Sequence, residues 1–362
     1  MPDTNADKMA FPPHLCLRMR VLLPFLCVIG FAFPAAAQLG GQTVFNSLNI
    51  YGSARVAAMG GNYLAIKDGD INVMAVNPSL LDSNMHQDVA LSYVDYYAGS
   101  NFGYASYAHG LKNKKITLGG TLQFLSHGTM DETDGLGNVI GEFSASEYVL
   151  TGGIGYQYDS LWSMGANVKT VYASFANYYS LGAAVDAAVT FHQPRRLFSA
   201  SLVLRNVGYQ FISFSENERE SFPAELQLGI VKQLRHAPFR FSVVAENLQQ
   251  WNLRFDNPNE PVITDPVTGE VIEDNTWEFG DNLMRHMVFG TEFLLGKNFN
   301  LRVGYNYRRR QELKLSDRPA TAGLSYGFGL MVRRFRIDYG RAIYHAAGPA
   351  NHFTVSTNLG SW

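Results

Sequence analysis

The chain has 362 residues with 29 basic and 31 acidic side chains, a balance that gives no reason to propose nucleic acid as a partner. It carries 34 Gly, 24 Phe and 19 Tyr at a mean hydropathy of only −0.08. Its two cysteines, Cys16 and Cys27, both fall in what reads as a discarded export segment, which excludes a disulfide, a Cys metal site or a Cys nucleophile in the mature chain.

Residues 1–37 read as a signal peptide. Arg18 and Arg20 supply the basic start, Val21 to Phe33 the apolar run, and Ala35-Ala36-Ala37 the small-residue cleavage pattern, so maturation is expected at Gln38. The run is too short for a membrane-spanning helix. Pro24-Phe25-Leu26 before Cys27 lacks the small residues of a lipoprotein signal. Met19-Arg20-Val21 would itself open a normal signal peptide, so the start is Met1 or Met19. Removing Asp3, Asp7, Lys8, Arg18 and Arg20 leaves 26 basic and 29 acidic residues in the mature chain.

Residues 38–87 lack strand rhythm. They are rich in small residues and read Ser53-Ala-Arg55-Val-Ala-Ala-Met59-Gly60-Gly61, then Asp68-Gly69-Asp70, then Asn77-Pro78-Ser79-Leu80-Leu81. Such a segment ahead of a closed barrel can fold into the lumen as a plug. The other reading is a disordered periplasmic tail, against which its apolar content argues.

From Asp88 onward fourteen strand-like segments follow, at 88–97, 101–111, 115–127, 144–158, 161–175, 180–192, 197–212, 222–234, 238–250, 285–295, 299–310, 319–331, 335–344 and 351–362. Several alternate cleanly, as lipid-facing and lumen-facing positions do. In 299–310, Leu301, Val303, Tyr305 and Tyr307 oppose Arg302, Gly304, Asn306 and Arg308. In 335–344, Phe335, Ile337 and Tyr339 oppose Arg336 and Asp338. Every second connection is short, as at Lys112-Asn-Lys114, Asp159-Ser160 and Val332-Arg-Arg334, while most of the others, including 128–143, 213–221, 251–284 and 311–318, are longer. A membrane barrel sorts tight periplasmic turns from long outer loops in this way; a soluble β-sandwich has no reason to. The expected fold is therefore all-β: a transmembrane antiparallel β-barrel of about fourteen strands over 88–362 with an N-terminal plug over 38–87. An even count puts both termini on the periplasmic side.

Charges on the inner face have a reason to be there. An arginine facing lipid at the midplane costs roughly 2–4 kcal/mol, so Arg302, Arg308, Arg336 and Asp338 are expected to line the lumen and to pair with Asp68 or Asp70 of the plug. The acidic connection 251–284 reads as a solvated surface loop or as an arm that docks a partner or divalent ions.

Motifs for catalysis fail on context. Gly323-Leu-Ser325-Tyr-Gly327 fits G-x-S-x-G, but a nucleophile elbow needs a strand-to-helix turn at the serine, and here the alternation runs through it. Gly152-Gly153-Ile-Gly155 has no helix after it. Asp131 to Asn138 lacks the bidentate Glu of a calcium loop and reads as a hairpin tip. The histidines show no ligand spacing. No enzyme, cofactor or metal is expected. Trp362, an aromatic at the end of an alternating strand, resembles the signal that barrel-assembly machinery reads.

Arg55, Gly60, Gly61, the Asp68-x-Asp70 step and Asn77-Pro78-x-Leu80 resemble the N-terminal hatch of FadL-like outer-membrane barrels. Phe45-Asn-x-Leu48-Asn49 before Ser53-Ala54-Arg55, and the later Arg334-Phe-Arg336-Ile-Asp338-Tyr339, look most like PorQ-like proteins of the Bacteroidetes type IX secretion system. The resemblance implies protein secretion rather than transport chemistry: an outer-membrane anchor of the cell-surface attachment complex, with a surface protein of PorZ type and PorU- and PorV-type members as partners. The alternative, on the same fold, is a FadL-like channel for hydrophobic small molecules such as fatty acids.

Overall fold

The computed structural model describes residues 43–96, 99–112, 115–215, 219–254, 278–296, 298–313, 321–345 and 348–361. The signal segment 1–37, most of the acidic connection 255–277, and Trp362 lie outside them.

Fourteen strands among the described residues close into one antiparallel barrel. They are β1 (Asp88–Asp95), β2 (Asn101–Gly110), β3 (Ile116–Thr133), β4 (Val139–Gln157), β5 (Trp162–Phe175), β6 (Tyr178–Gln193), β7 (Phe198–Ile212), β8 (Glu225–Gln233), β9 (Phe239–Ala245), β10 (Met287–Leu294), β11 (Phe299–Asn306), β12 (Leu324–Val332), β13 (Phe335–His345) and β14 (Gly348–Asn358). Each pairs with its sequence neighbour, and β14 pairs with β1 from Asp88↔Asn358 to Asp95↔Asn351, so the wall has no free edge. Period-two alternation sets the two faces. In β12, Leu324, Tyr326, Phe328 and Leu330 point out while Ser325 is buried inside; in β1, Leu91 and Tyr93 point out while Ala90, Ser92 and Val94 point in. Leu91, Leu150, Val168 and Tyr326 are each more than half exposed, in a belt of apolar side chains running round the wall. Such a surface suits hydrocarbon and not water.

Several boundaries differ from the sequence reading. Residues 128–143 are not a loop: β3 and β4 pair out to Thr133↔Val139, and Asp134 closes the turn by accepting from the backbone N–H groups of Leu136 and Asn138, both at 2.9 Å. β9 stops at Ala245. β11 stops at Asn306, whose side chain accepts from Arg309 N at 2.9 Å and starts a short helix, Tyr307–Glu312. β14 runs from Gly348 to Asn358 and gives way to a 3₁₀ turn, Leu359–Ser361.

Residues 43–87 lie inside the wall as a chain of short turns. Helix α1 (Ala54–Ala58) rests against β11–β14. Three 3₁₀ turns follow, each begun by an acidic or amide side chain that accepts from the backbone two residues on: Asp70 from Asn72, Asn77 from Ser79, and Asp82 from Asn84. Val56, Met59, Leu64, Ile71, Met74 and Leu80 pack against inward Ala90, Ala108, Val203, Val231, Val244 and Val288. Burying each of the larger side chains contributes about 1.5–3 kcal/mol.

The two ends of the barrel are unlike. The connections at 111–115, 158–161, 194–197, 234–238, 295–298 and 333–334 are all short. The other end carries the three long ones, 213–224, 246–286 and 307–323, beside four of five residues or fewer, so long connections are a minority there and not the expected majority. β14 ends at the short-turn end. Thr43 does not: it forms a parallel bridge with Ser221, in the 213–224 connection, and Val44 N donates to Ser221 O at 3.0 Å. Thr43, the first described residue, is thus at the end opposite the one where β14 stops, because the plug spans the lumen before β1 begins. The expected mature N-terminus itself lies outside the described residues.

Candidate functional site in the barrel lumen

The site is the seam between the plug and the inner wall. At its centre is Arg55 on α1, 1% exposed. Its guanidinium uses all of its N–H donors. Nε donates to Glu292 Oε1 at 2.8 Å and Nη2 to Glu292 Oε2 at 2.9 Å; Nη1 and Nη2 reach the two oxygens of Asp68 at 3.0 and 2.7 Å; Nη1 also reaches Asp70 Oδ2 at 3.1 Å. Two bidentate pairs on one arginine fix its plane as well as its charge. Glu292, on β10, stands opposite Arg240 of β9 and Arg302 of β11 in the sheet register, and both donate to it at 2.9 Å. Arg302 continues to Asp338 at 2.5 Å, which also takes Arg336 at 3.0 Å. Arg240 returns to Asp68 at 2.7 Å. Four arginines and four carboxylates thus close one network with no net charge. That balance matters, because an unpaired charge in such a place costs several kcal/mol.

The plug's own titrating groups record the network. Burial alone would push the Asp68 carboxyl up, but Arg55 and then Arg240 hold it well below the usual carboxylate range. Asp70 is likewise held down against burial, by Arg336 and Arg55. Lys67, on the same stretch, is pushed down by burial.

Backbone meets backbone around α1. A Cβ on Gly304 would lie 1.9 Å from Gly60 N, and one on Gly340 would lie 2.2 Å from the Ala54 carbonyl oxygen. Only glycine permits that approach. Gly60 and Gly61 turn the chain after α1 at φ +94° and +92°, a region that side chains avoid. Ser325 of the G-x-S-x-G string sits in this seam: its Oγ accepts from Gly60 N at 2.9 Å and donates to Ala58 O at 3.1 Å. It is a fastening, at the start of β12.

Across the lumen, around Asn77, the fastenings are neutral. Asn77 Nδ2 donates to Leu64 O at 2.6 Å and to Thr190 Oγ1 at 3.3 Å; the hydroxyls of Ser79 and Thr190 meet at 2.7 Å, and those of Thr190 and Ser201 at 2.6 Å. Pro78 opens the turn, with its carbonyl group against Gly165. Higher up, Lys169 pairs with Asp186 at 2.8 Å, Asn206 donates to Asn49 at 3.1 Å, and Arg205 donates to Leu48 O at 3.1 Å while lying over the Tyr51 ring.

Arg55, Asp68, Asp70, Arg302, Arg336 and Asp338 are therefore brought together, and Gly60, Gly61, Asn77 and Pro78 line the same seam. Two expectations are corrected. Arg308 does not share the inner face of β11, because the strand has already turned into a helix; it lies near Glu246 at 3.9 Å and Glu312 at 3.8 Å. The ion-pair partners of Asp68 and Asp70 are Arg55 and Arg240, not Arg302 or Arg308. Sequence reasoning missed Glu292 and Arg240. Folding the chain about the short turn at 296–298 would have placed Glu292 beside Arg302; Arg240 joins them only across the long 246–286 connection, whose register no short turn sets. Trp362 lies outside the described residues.

No protein-family model and no curated protein matches the chain. Solved structures do. A TodX deltaS2S3 mutant monoaromatic hydrocarbon channel superposes with a TM-score of 0.51 at 14% identity, over 85% of this chain and 99% of that one. The Pseudomonas putida toluene transporter TodX gives 0.46 at 13% identity, over 84% and 96%. A Pseudomonas aeruginosa FadL homologue gives 0.47 at 9% identity, over 85% and 98%. The likeness rests on the first of these and concerns fold alone. A closed fourteen-stranded barrel, expected from strand rhythm, is the fold this chain has, and the TodX channel shares it.

Proposed function

We propose that this protein works in the outer membrane as a plugged barrel, shut in the state described here. The observation that carries the reading is Arg55, which joins the plug's Asp68 and Asp70 to the wall's Glu292. The apolar belt supplies the lipid-facing surface, and the expected signal at 1–37 supplies the export route. Among the described residues, a cavity under Tyr51, Val56, Asn72, Tyr104 and Arg205 measures about 10 Å³, room for one water.

Within that reading the first role is a FadL-like channel for hydrophobic small molecules, with the ion network as the latch that a moving plug must break. It is supported by the fold shared with a protein described as a monoaromatic hydrocarbon channel. The second role is a non-conducting anchor for a surface attachment complex of the type IX secretion system, with a PorZ-type protein and its PorU- and PorV-type companions as partners. The PorQ-like wording of the N-terminal segment and the plug packed on the inner wall favour it; the comparisons lend it nothing and so support the channel better. In either role the outer-membrane barrel would be delivered by barrel-assembly machinery reading its C-terminal strand, with Trp362 as the signal.

Detergent purification separates the two. A co-purified fatty acid or aromatic hydrocarbon, with uptake of that compound lost when the gene is deleted, supports the channel. A surface protein recovered in near-equal amount, with no such uptake, overturns it in favour of the anchor. Migration on gels that changes on heating checks the barrel itself, because closed barrels resist detergent until heated.

A further inference from the structure

The plug's path through the lumen fixes which side its first residues face. The turns between β2 and β3, β4 and β5, β6 and β7, β8 and β9, β10 and β11, and β12 and β13 all lie at one end, and β14 finishes there too. Short connections mark the periplasmic end of a membrane barrel. Asp68 pairs with Arg240, three residues after the 235–237 turn, and the Lys67 ammonium donates to Gln157 and Ser163, which flank the turn at 159–160. Ser83 and His86 approach Gly110, next to the 112–114 turn. Residues 67–68 and 83–86 are therefore at the periplasmic end.

Residues 43–49 are at the other. Thr43 bridges Ser221 between β7 and β8; Phe45 packs at a tilt against Phe222 with 5.2 Å between ring centres; Asn49 meets Asn206, six residues before β7 ends. Val44, Phe45 and Leu48 have their own apolar seat among Val149, Val171 and Phe222, so this stretch is docked there and does not hang loose. Asn46 and Asn49, between the buried positions, are exposed. The chain enters at one end of the barrel, crosses it, and starts β1 at the opposite end.

We infer that the plug is threaded from the outside: the stretch Thr43–Asn49 lies at the outer mouth of the barrel, beside the 213–224 connection, with its exposed Asn46 and Asn49 reached from the medium and not from the periplasm. The inference rests on the outer-membrane barrel reading above and adds a topology that reading does not require. It makes the N-terminal stretch an element that an external partner or solute meets first, coupled through α1 to the Arg55 network.

The absence of cysteine from the mature chain makes the test direct. Three single variants of the full chain, N46C, L136C at the tip of the β3–β4 hairpin, and N84C at the periplasmic end, are expressed in the outer membrane. Each is treated with a membrane-impermeant maleimide on intact cells and again after the cells are opened. Leu136 is 90% exposed and reports barrel orientation independently of the plug. The expected result is that N46C labels on intact cells to the level of L136C, while N84C labels only after opening. L136C labelled with N46C silent until opening overturns the threading. L136C silent on intact cells overturns the barrel orientation, and with it the premise. Heat-modifiable migration of each variant establishes that it has inserted, and a tag placed after Gln38 and detected by antibody on intact cells reads the same topology if N46C fails that check.

Discussion

The two sides of the lumen hold the plug by different chemistry. On the β9–β13 side, α1 is fastened by arginines and carboxylates and by backbone lying on glycine. On the β5–β7 side, Asn77, Ser79, Thr190 and Ser201 make a chain of neutral hydrogen bonds. A neutral bond can be lost singly at modest cost. A charge cannot, because its partners remain buried. The charged side is therefore the one a signal can act on, through any event that unbalances it, while the neutral side behaves as a fixed seat.

Substitution at the glycine contact gives the largest expected effect. Gly304→Leu places carbon where Gly60 N already stands, so α1 cannot seat. We expect sustained conductance in planar bilayers and protease cleavage within 43–87, with heat-modifiable migration retained; a barrel that stays closed would show that α1 does not seal it. Next is Arg55→Met, which leaves Asp68, Asp70 and Glu292 facing one another. Loss of one partner from a buried network costs about 3–5 kcal/mol, read as a lowered denaturant midpoint in lipid or detergent. Adding Glu292→Gln should restore part of that loss if the two side chains act as a unit.

On the neutral side Asn77→Ala is expected to cost about 1–3 kcal/mol, with no dependence on salt or pH; a strong dependence of either kind would blur the distinction between the two sides. The smallest effect comes from acid. Asp68 and Asp70 are held below their ordinary value in the folded state, so their contribution is complete above the unfolded carboxylate value of about 4 and is lost as pH falls from there through the folded values. Stability should be flat between roughly pH 7 and 5 as far as these groups are concerned and fall below about 4. The fall should be shallower in Arg55→Met, whose carboxylates are no longer held down; an equal fall would assign it to groups elsewhere.

Much of this was legible in the chain. Alternation in β11, β12 and β13, the run of short connections, and small residues around Arg55, Gly60 and Gly61 sufficed for a fourteen-stranded barrel with a segment inside it. The ends of strands were less legible. Asn306 looks like one more polar step in β11 until its side chain is seen to cap a helix, and Thr129 to Thr133 look like loop until they are seen paired with the opposite strand. Glu292 was missed because it was read within β10 alone, where one carboxylate on a strand signifies little.

What the sequence by itself determined is the wall, because facing lipid on one side and plug on the other imposes a period of two on every strand, and that rule acts locally. What only the tertiary structure decided is who meets whom inside. Arg55 and Glu292 are 237 residues apart, and they touch because the register of β9, β10 and β11 stacks Arg240, Glu292 and Arg302 while bare glycines let α1 come close. The same seating sends residues 43–49 to the long-loop end, opposite the end where β14 stops. Charge balance across a lumen is a property of the closed barrel, and no stretch of strand carries it alone.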